Sequence, residues 1–255
     1  MAARRSPRVA GLFGLIAAFA LALAPVPGAG QDKSTDTGAK ARIEEKFKQA
    51  GLFVGNDIQI AVEGKSVTLT GTVRTLAQKE QAGREALGAA KGHKLVNDLA
   101  LASVEISPRQ IADGIMTAVE TSPSYFIFDY VGVDVTPAGE VTLKGWASFP
   151  WSEKEFVKLA QSQPGVRKVS NEIRRPMIED ADRALRTQVA QLIYTRPMGP
   201  GFTRTNGPIH IVVNNGVVIL GGTVQKQTDV DSFERLVRLN TGALNVVNNL
   251  QVKTK

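Results

Sequence analysis

Apolar and polar residues alternate in short runs that return three times along the chain. In VTLTGTV, residues 67–73, Val67, Leu69 and Val73 alternate with Thr68, Thr70 and Thr72, the period of a half-buried strand. The phrase recurs as VTLKGWA at 141–147 and VILGGTV at 218–224. A second alternation precedes each: Ile58, Ile60 and Val62; Val131, Val133 and Val135; Ile209, Ile211 and Val213. A turn containing Gly64, Gly139 or Gly216 joins the pair, and Asn215-Gly216 is a strong hairpin signal. Helical spacing precedes each pair, in Ile43, Phe47 and Ala50, in Ile111, Ile115 and Val119, and in Leu185, Val189 and Leu192. A second helical segment fits 75–91, 151–163 and 228–240, and a closing strand reads LVNDL, VSNEI or VVNNL. The order α-β-β-α-β predicts an α+β fold of three tandem units, 41–104, 109–178 and 182–253. Each is expected to be a three-stranded mixed sheet with two helices on one face.

Two residue types mark every unit. Gly71 to Asn97, Gly145 to Asn171 and Gly222 to Asn248 each span 26 residues, while the glycines stand 74 and 77 residues apart. The repeat is therefore a small domain, not a solenoid rung. The glycines fall on the apolar side of their strands, where a missing side chain predicts close approach of a helix. The asparagines share parity with apolar neighbours and are expected to point toward the core. Each amide then either fastens nearby backbone, the commoner fate of a buried polar group, or meets a ligand.

These runs, with G-K-S-VTLTGTV and LVNDL, G-E-VTLKGWA and VSNEI, and G-V-VILGGTV and VVNNL, resemble the BON domain family, named for an osmotically induced periplasmic protein and for nodulation proteins. The resemblance covers nearly all of residues 41–253. Ala147 replaces the usual valine, and Gly92 stands one residue nearer its asparagine than Gly165 and Gly242 do. The resemblance implies the α-β-β-α-β fold and an envelope protein that associates with phospholipid or with other envelope components. It implies no catalytic residue.

Residues 1–30 lie outside the repeats. Arg4, Arg5 and Arg8 precede the uncharged apolar run 9–24, and Gly28-Ala29-Gly30 offers a cleavage site before Gln31. This reads as a signal peptide cleaved after Gly30. The alternative is a membrane anchor, but the run is shorter than the ~20 residues that span a bilayer. Residues 31–40 read as a linker. No second long apolar run follows, so the mature chain is expected to carry no transmembrane segment and to be secreted, into the periplasm. The chain has no cysteine, which excludes disulfides, thiolate metal sites and a lipidated amino-terminal cysteine.

Net charge is +7, and the surplus of the mature chain sits in the last unit, at Arg183, Arg186, Arg196, Arg204, Arg235 and Arg238. Arg235 and Arg238 share a helical face. They suit an anionic surface, or are an ordinary solvated face. Nucleic acid is disfavoured by the signal peptide and by the absence of a recognition motif. The two histidines belong to different units: His93 in a turn, His210 on the uncovered face of its strand. No GxSxG elbow, phosphate loop or GxGxxG occurs, so no enzyme, cofactor or metal site is expected. Aromatic residues point elsewhere. Trp146 has outward parity, and Phe149 and Trp151 follow at a helix entry, a placement suited to a membrane interface or a protein partner. Tyr125, Phe126, Phe128 and Tyr130 precede the first strand of the same unit. All of these aromatics could instead fill seams between units. The leading expectation is peripheral binding to anionic phospholipid through Trp146, Phe149, Trp151, Arg235 and Arg238. The second is a scaffold for another envelope protein, and a saccharide-binding module ranks below both.

Overall fold

The computed structural model describes residues 33–177, 179–194 and 207–253. The signal sequence read at 1–30 lies outside them, as do Arg196 and Arg204. Unit 1 comprises α1 (Lys33–Gln49), β1 (Asp57–Glu63), β2 (Ser66–Val73), α2 (Leu76–Ala89), β3 (Lys94–Asn97) and β4 (Ala100–Leu101). Unit 2 comprises α3 (Pro108–Glu120), β5 (Tyr130–Val135), β6 (Glu140–Trp146), α4 (Pro150–Gln161) and β7 (Lys168–Arg174). Unit 3 comprises α5 (Asp180–Tyr194), β8 (Ile209–Asn214), β9 (Val217–Val224), α6 (Gln227–Asn240) and β10 (Asn245–Val252). In each unit the glycine-bearing strand is central, antiparallel to the strand before it and parallel to the last. The first helix starts at Lys33, inside the stretch read as a linker.

Local signals explain the boundaries. Thr75 and Ser107 open α2 and α3 with reciprocal capping boxes to Gln78 and Gln110. The β8–β9 turn carries Asn215 and Gly216 at positive φ, as a tight hairpin demands. An aspartate on the first helix pins the hairpin turn: Asp36 accepts from the Gly64 amide, and Asp182 from those of Asn215 and Gly216. Three cores result, around Ile43, Phe47 and Leu69, around Ile115, Leu143 and Phe156, and around Val189, Ile193 and Leu220. In unit 3 the third buried helix position is Ile193 rather than Leu192.

The glycine expectation needs correcting. Gly71, Gly145 and Gly222 have φ of +107°, +116° and +104°, a region that L side chains avoid. A Cβ at each would run into a carbonyl oxygen of the neighbouring chain, that of Asp57, Tyr130 or Pro208. The close approach is strand to strand, not strand to helix. The asparagine expectation also changes in part. Asn97 and Asn248 are half-buried and Asn171 is exposed, so none is a core residue.

The seams differ. Units 1 and 2 meet through α2 and α4, where Gln161 donates to Glu80, and through Arg167, which donates to the carbonyls of Leu101 and Ala102. Units 2 and 3 meet more intimately. Residues 125–130 lie on the unit 3 sheet, where Ile127 joins the unit 3 core and Tyr130 covers Gly221.

Candidate membrane-facing and partner-facing surface

The repeated asparagine is a clamp. Its amide nitrogen reaches the second helix eighteen residues back: Asn97 to the Lys79 carbonyl at 2.9 Å, Asn171 to the Glu153 carboxylate at 2.7 Å, and Asn248 to the Val230 carbonyl at 3.0 Å. Its oxygen accepts from the amide two residues on, at Leu99, Ile173 and Leu250. All three amides are thus engaged at both ends, which assigns them to fastening the second helix to the last strand.

The aromatic residues divide into a seam and a tip. At the seam, Asp129 is fully buried and organises the segment, its carboxylate accepting from the amides of Ser148 and Phe126. Burial raises its pKa, against those hydrogen bonds and the charge of Arg186. Tyr125 stacks on His210 with ring centroids 4.5 Å apart, and His210 Nδ1 donates to the Phe126 carbonyl at 3.1 Å. His210 is therefore 7 % exposed, not the open residue that its parity suggested, because unit 2 covers that face. Burial pulls its pKa down to about 4, opposed by hydrogen bonding to the backbone of Phe126 and Asp129. The Arg186 guanidinium sits 4.3 Å over the Phe128 ring, an arrangement that attracts cation to ring. Trp146 is half-buried on the strand between its register partners Tyr130 and Arg174, and belongs to this side.

At the tip, Phe149 and Trp151 are 38 % and 57 % exposed. They stack with centroids 4.3 Å apart at an 11° interplanar angle, and Phe126 meets Phe149 edge-on at 5.9 Å. Phe149 occupies the N-cap of α4 and supplies no cap hydrogen bond. Polar residues normally hold that position, and losing one costs ~1 kcal/mol. The chain thus places a ring in solvent where local stability favours a serine.

Arg235 and Arg238 are both exposed on α6 of unit 3, three residues apart. Arg238 donates to Glu234 at 2.9 Å and lies 3.4 Å from the Val246 carbonyl, so its charge is partly matched. Hydrogen bonds from Arg238 and then Asn248 lower the pKa of Glu234. Two further exposed arginines, Arg174 and Arg175, stand at the end of β7, and the sequence reading missed them. The Arg174 carbonyl accepts from the Ala147 amide, and the Arg175 guanidinium stands 3.8 Å from Glu153 on α4. The β6–β7 pairing sets Arg174 opposite Trp146.

Among the described residues, no helix is long and apolar enough to cross a membrane, and no group of three His, Cys, Asp or Glu could hold a metal ion. The BON domain model matches residues 35–103, 109–176 and 182–254. No curated protein matches the sequence. Among solved structures, the chain matches CdsD, a structural protein of the type III secretion system of Chlamydia trachomatis. Identity is 15 %, over 84 % of this chain and 91 % of that one, with a TM-score of 0.26. The C-terminal domain of CdsD matches at 16 % identity over 84 % and 96 %, with a TM-score of 0.22. Likeness at this level carries no inference about architecture or function.

Proposed function

Because the chain belongs to the BON domain family, in three tandem copies, we propose that it is a non-enzymatic envelope protein that associates peripherally with anionic phospholipid. The observation that carries the reading is the exposed Phe149–Trp151 stack at the start of α4, the helix whose Glu153 pairs with Arg175. A flat aromatic pair settles at the headgroup level, where one side is apolar and the other wet. Exposed cations add ~1 kcal/mol each near an anionic leaflet. Arg235, on the basic third unit, adds to the same attraction at longer range. The test is co-sedimentation of the chain with phosphatidylglycerol-containing and with purely phosphatidylcholine vesicles. Retention on the first and not the second supports the reading. Equal behaviour on both removes the anionic part of it.

A second reading, a scaffold for another envelope protein, is favoured by one different observation: the first unit keeps a groove of mixed polar and apolar lining open beside a strand edge.

A further inference from the structure

Unit 3 shows what an occupied strand edge looks like in this protein. Residues 126–128 of unit 2 run beside the free edge of β8. The Ile211 amide donates to the Ile127 carbonyl at 2.6 Å, Ile127 enters the unit 3 core, and Phe128 lies under Arg186. Unit 1 is built on the same frame. Ile60 faces Leu69 as Ile211 faces Leu220. Ala39, Ile43 and Phe47 are buried on α1 as Leu185, Val189 and Ile193 are on α5. Asp36 and Asp182 pin the equivalent hairpin turns. In this superposition Lys40 stands where Arg186 stands, and Gln59 where His210 stands.

Among the described residues, nothing pairs with the same edge in unit 1. Between α1 and β1 lies a groove of about 660 Å³, its floor set by Phe53, Ile58 and Ile60 and its rim by charged and polar side chains, Lys40, Glu44 and Lys48 among them. Ile58 and Ile60 keep 9 % and 8 % exposure, whereas Ile209 and Ile211 keep none. Gln59 is exposed where His210 is buried. A strand edge left open beside apolar side chains is a template for an added strand.

We propose that β1 and its groove form a docking site for an extended segment of a partner protein. The segment adds a strand at the β1 edge, its carbonyl accepting from the Ile60 amide. It places an aliphatic side chain against Ile58 and Ile60 and the following aromatic ring under the Lys40 ammonium, as Ile127 and Phe128 do on unit 3. The chain's own 126–128 segment is already engaged on unit 3, and the occupant proposed is a segment of another polypeptide. The site lies on a different unit from the aromatic tip, and lipid binding and this docking stand or fall separately.

The probe is a fluorescein-labelled synthetic peptide with the sequence of residues 123–130, PSYFIFDY, titrated with the full chain and read by fluorescence anisotropy. Saturable binding is expected. Ala41→Trp, which fills the groove from an exposed helix position that lines it, should weaken it by roughly tenfold or more. Lys40→Glu should weaken it less. A peptide with aspartate in place of its isoleucine should not bind. No binding by a chain whose circular dichroism is native overturns the proposal, as does binding indifferent to Ala41→Trp. If the chain alone dimerises and Ala41→Trp abolishes the dimer, the occupant is a second copy and the partner claim is overturned.

Discussion

At the scale of single residues, the glycine of each unit does different work from what its parity suggests, while the asparagine fastens nearby groups as expected, though from outside the core. The glycines hold a positive φ beside a neighbouring carbonyl, so even a methyl group is excluded. Gly71→Ala, Gly145→Ala and Gly222→Ala should each cost ~1–3 kcal/mol from backbone strain, read as a lower urea midpoint. A helix-packing role would instead tolerate alanine and reject only valine, so unchanged alanine variants would contradict the backbone account. The asparagines tie helix to strand, and Asn97→Leu or Asn248→Leu should cost ~1–3 kcal/mol through the carbonyls and amides left unpartnered. Stability equal to the parent, by the same melts, would argue against the clamp. Their recurrence at a fixed spacing was plain in the sequence. What the spacing could not show is that the glycine's obstacle is backbone and that each amide reaches back to the second helix. Both facts depend on how neighbouring strands and helices approach in three dimensions.

At the scale of elements, the alternation and helical spacing were enough for the order α-β-β-α-β, because each unit buries one sheet face with its own helices. The seam between units 2 and 3 was not legible. His210 has outward parity and is outward from its own unit, yet residues 125–130 of the preceding unit cover it. Arg174 and Arg175 were missed for the same reason, since only the folded chain sets Arg174 opposite Trp146 and Arg175 against Glu153 of α4. The seam should be sensitive to acid. The folded pKa of His210 is depressed to about 4, so its neutral form is favoured in the fold. That contribution is intact above the unfolded value of about 6.5 and is lost as pH falls from there toward 4, on the order of 3 kcal/mol in all. Tyr125, Asp129, Tyr130 and Arg186 are the other titratable groups that face this seam among the described residues. Burial raises the pKa of Asp129, so its protonation in acid opposes part of the loss. Amide hydrogen exchange along β8 should therefore quicken, relative to β1, between pH 6.5 and 4.5 after correction for intrinsic rates. His210→Gln should flatten that dependence. An identical pH response in the variant would assign the effect to another group.

At the scale of the whole molecule, an aromatic tip lies on unit 2, exposed arginines on units 2 and 3, and an open strand edge on unit 1. Charge and tip should separate in vesicle binding. Arg174→Glu with Arg175→Glu should weaken retention on anionic vesicles in dilute buffer, and the deficit should shrink as salt rises, because screening acts over ~10 Å at about 0.1 M. Trp151→Ala should weaken it at every salt concentration. Arg238 is a poorer choice for charge reversal, since glutamate there would face Glu234 and strain the Asn248 clamp. The most direct measurement uses the tryptophan itself. In Trp146→Phe, Trp151 is the sole tryptophan, and its emission reports where the tip sits. Added phosphatidylglycerol vesicles should shift that emission to the blue, and brominated acyl chains should quench it. Retention on the vesicles with an unshifted, unquenched Trp151, or no retention at all by the folded chain, would contradict membrane contact through this tip.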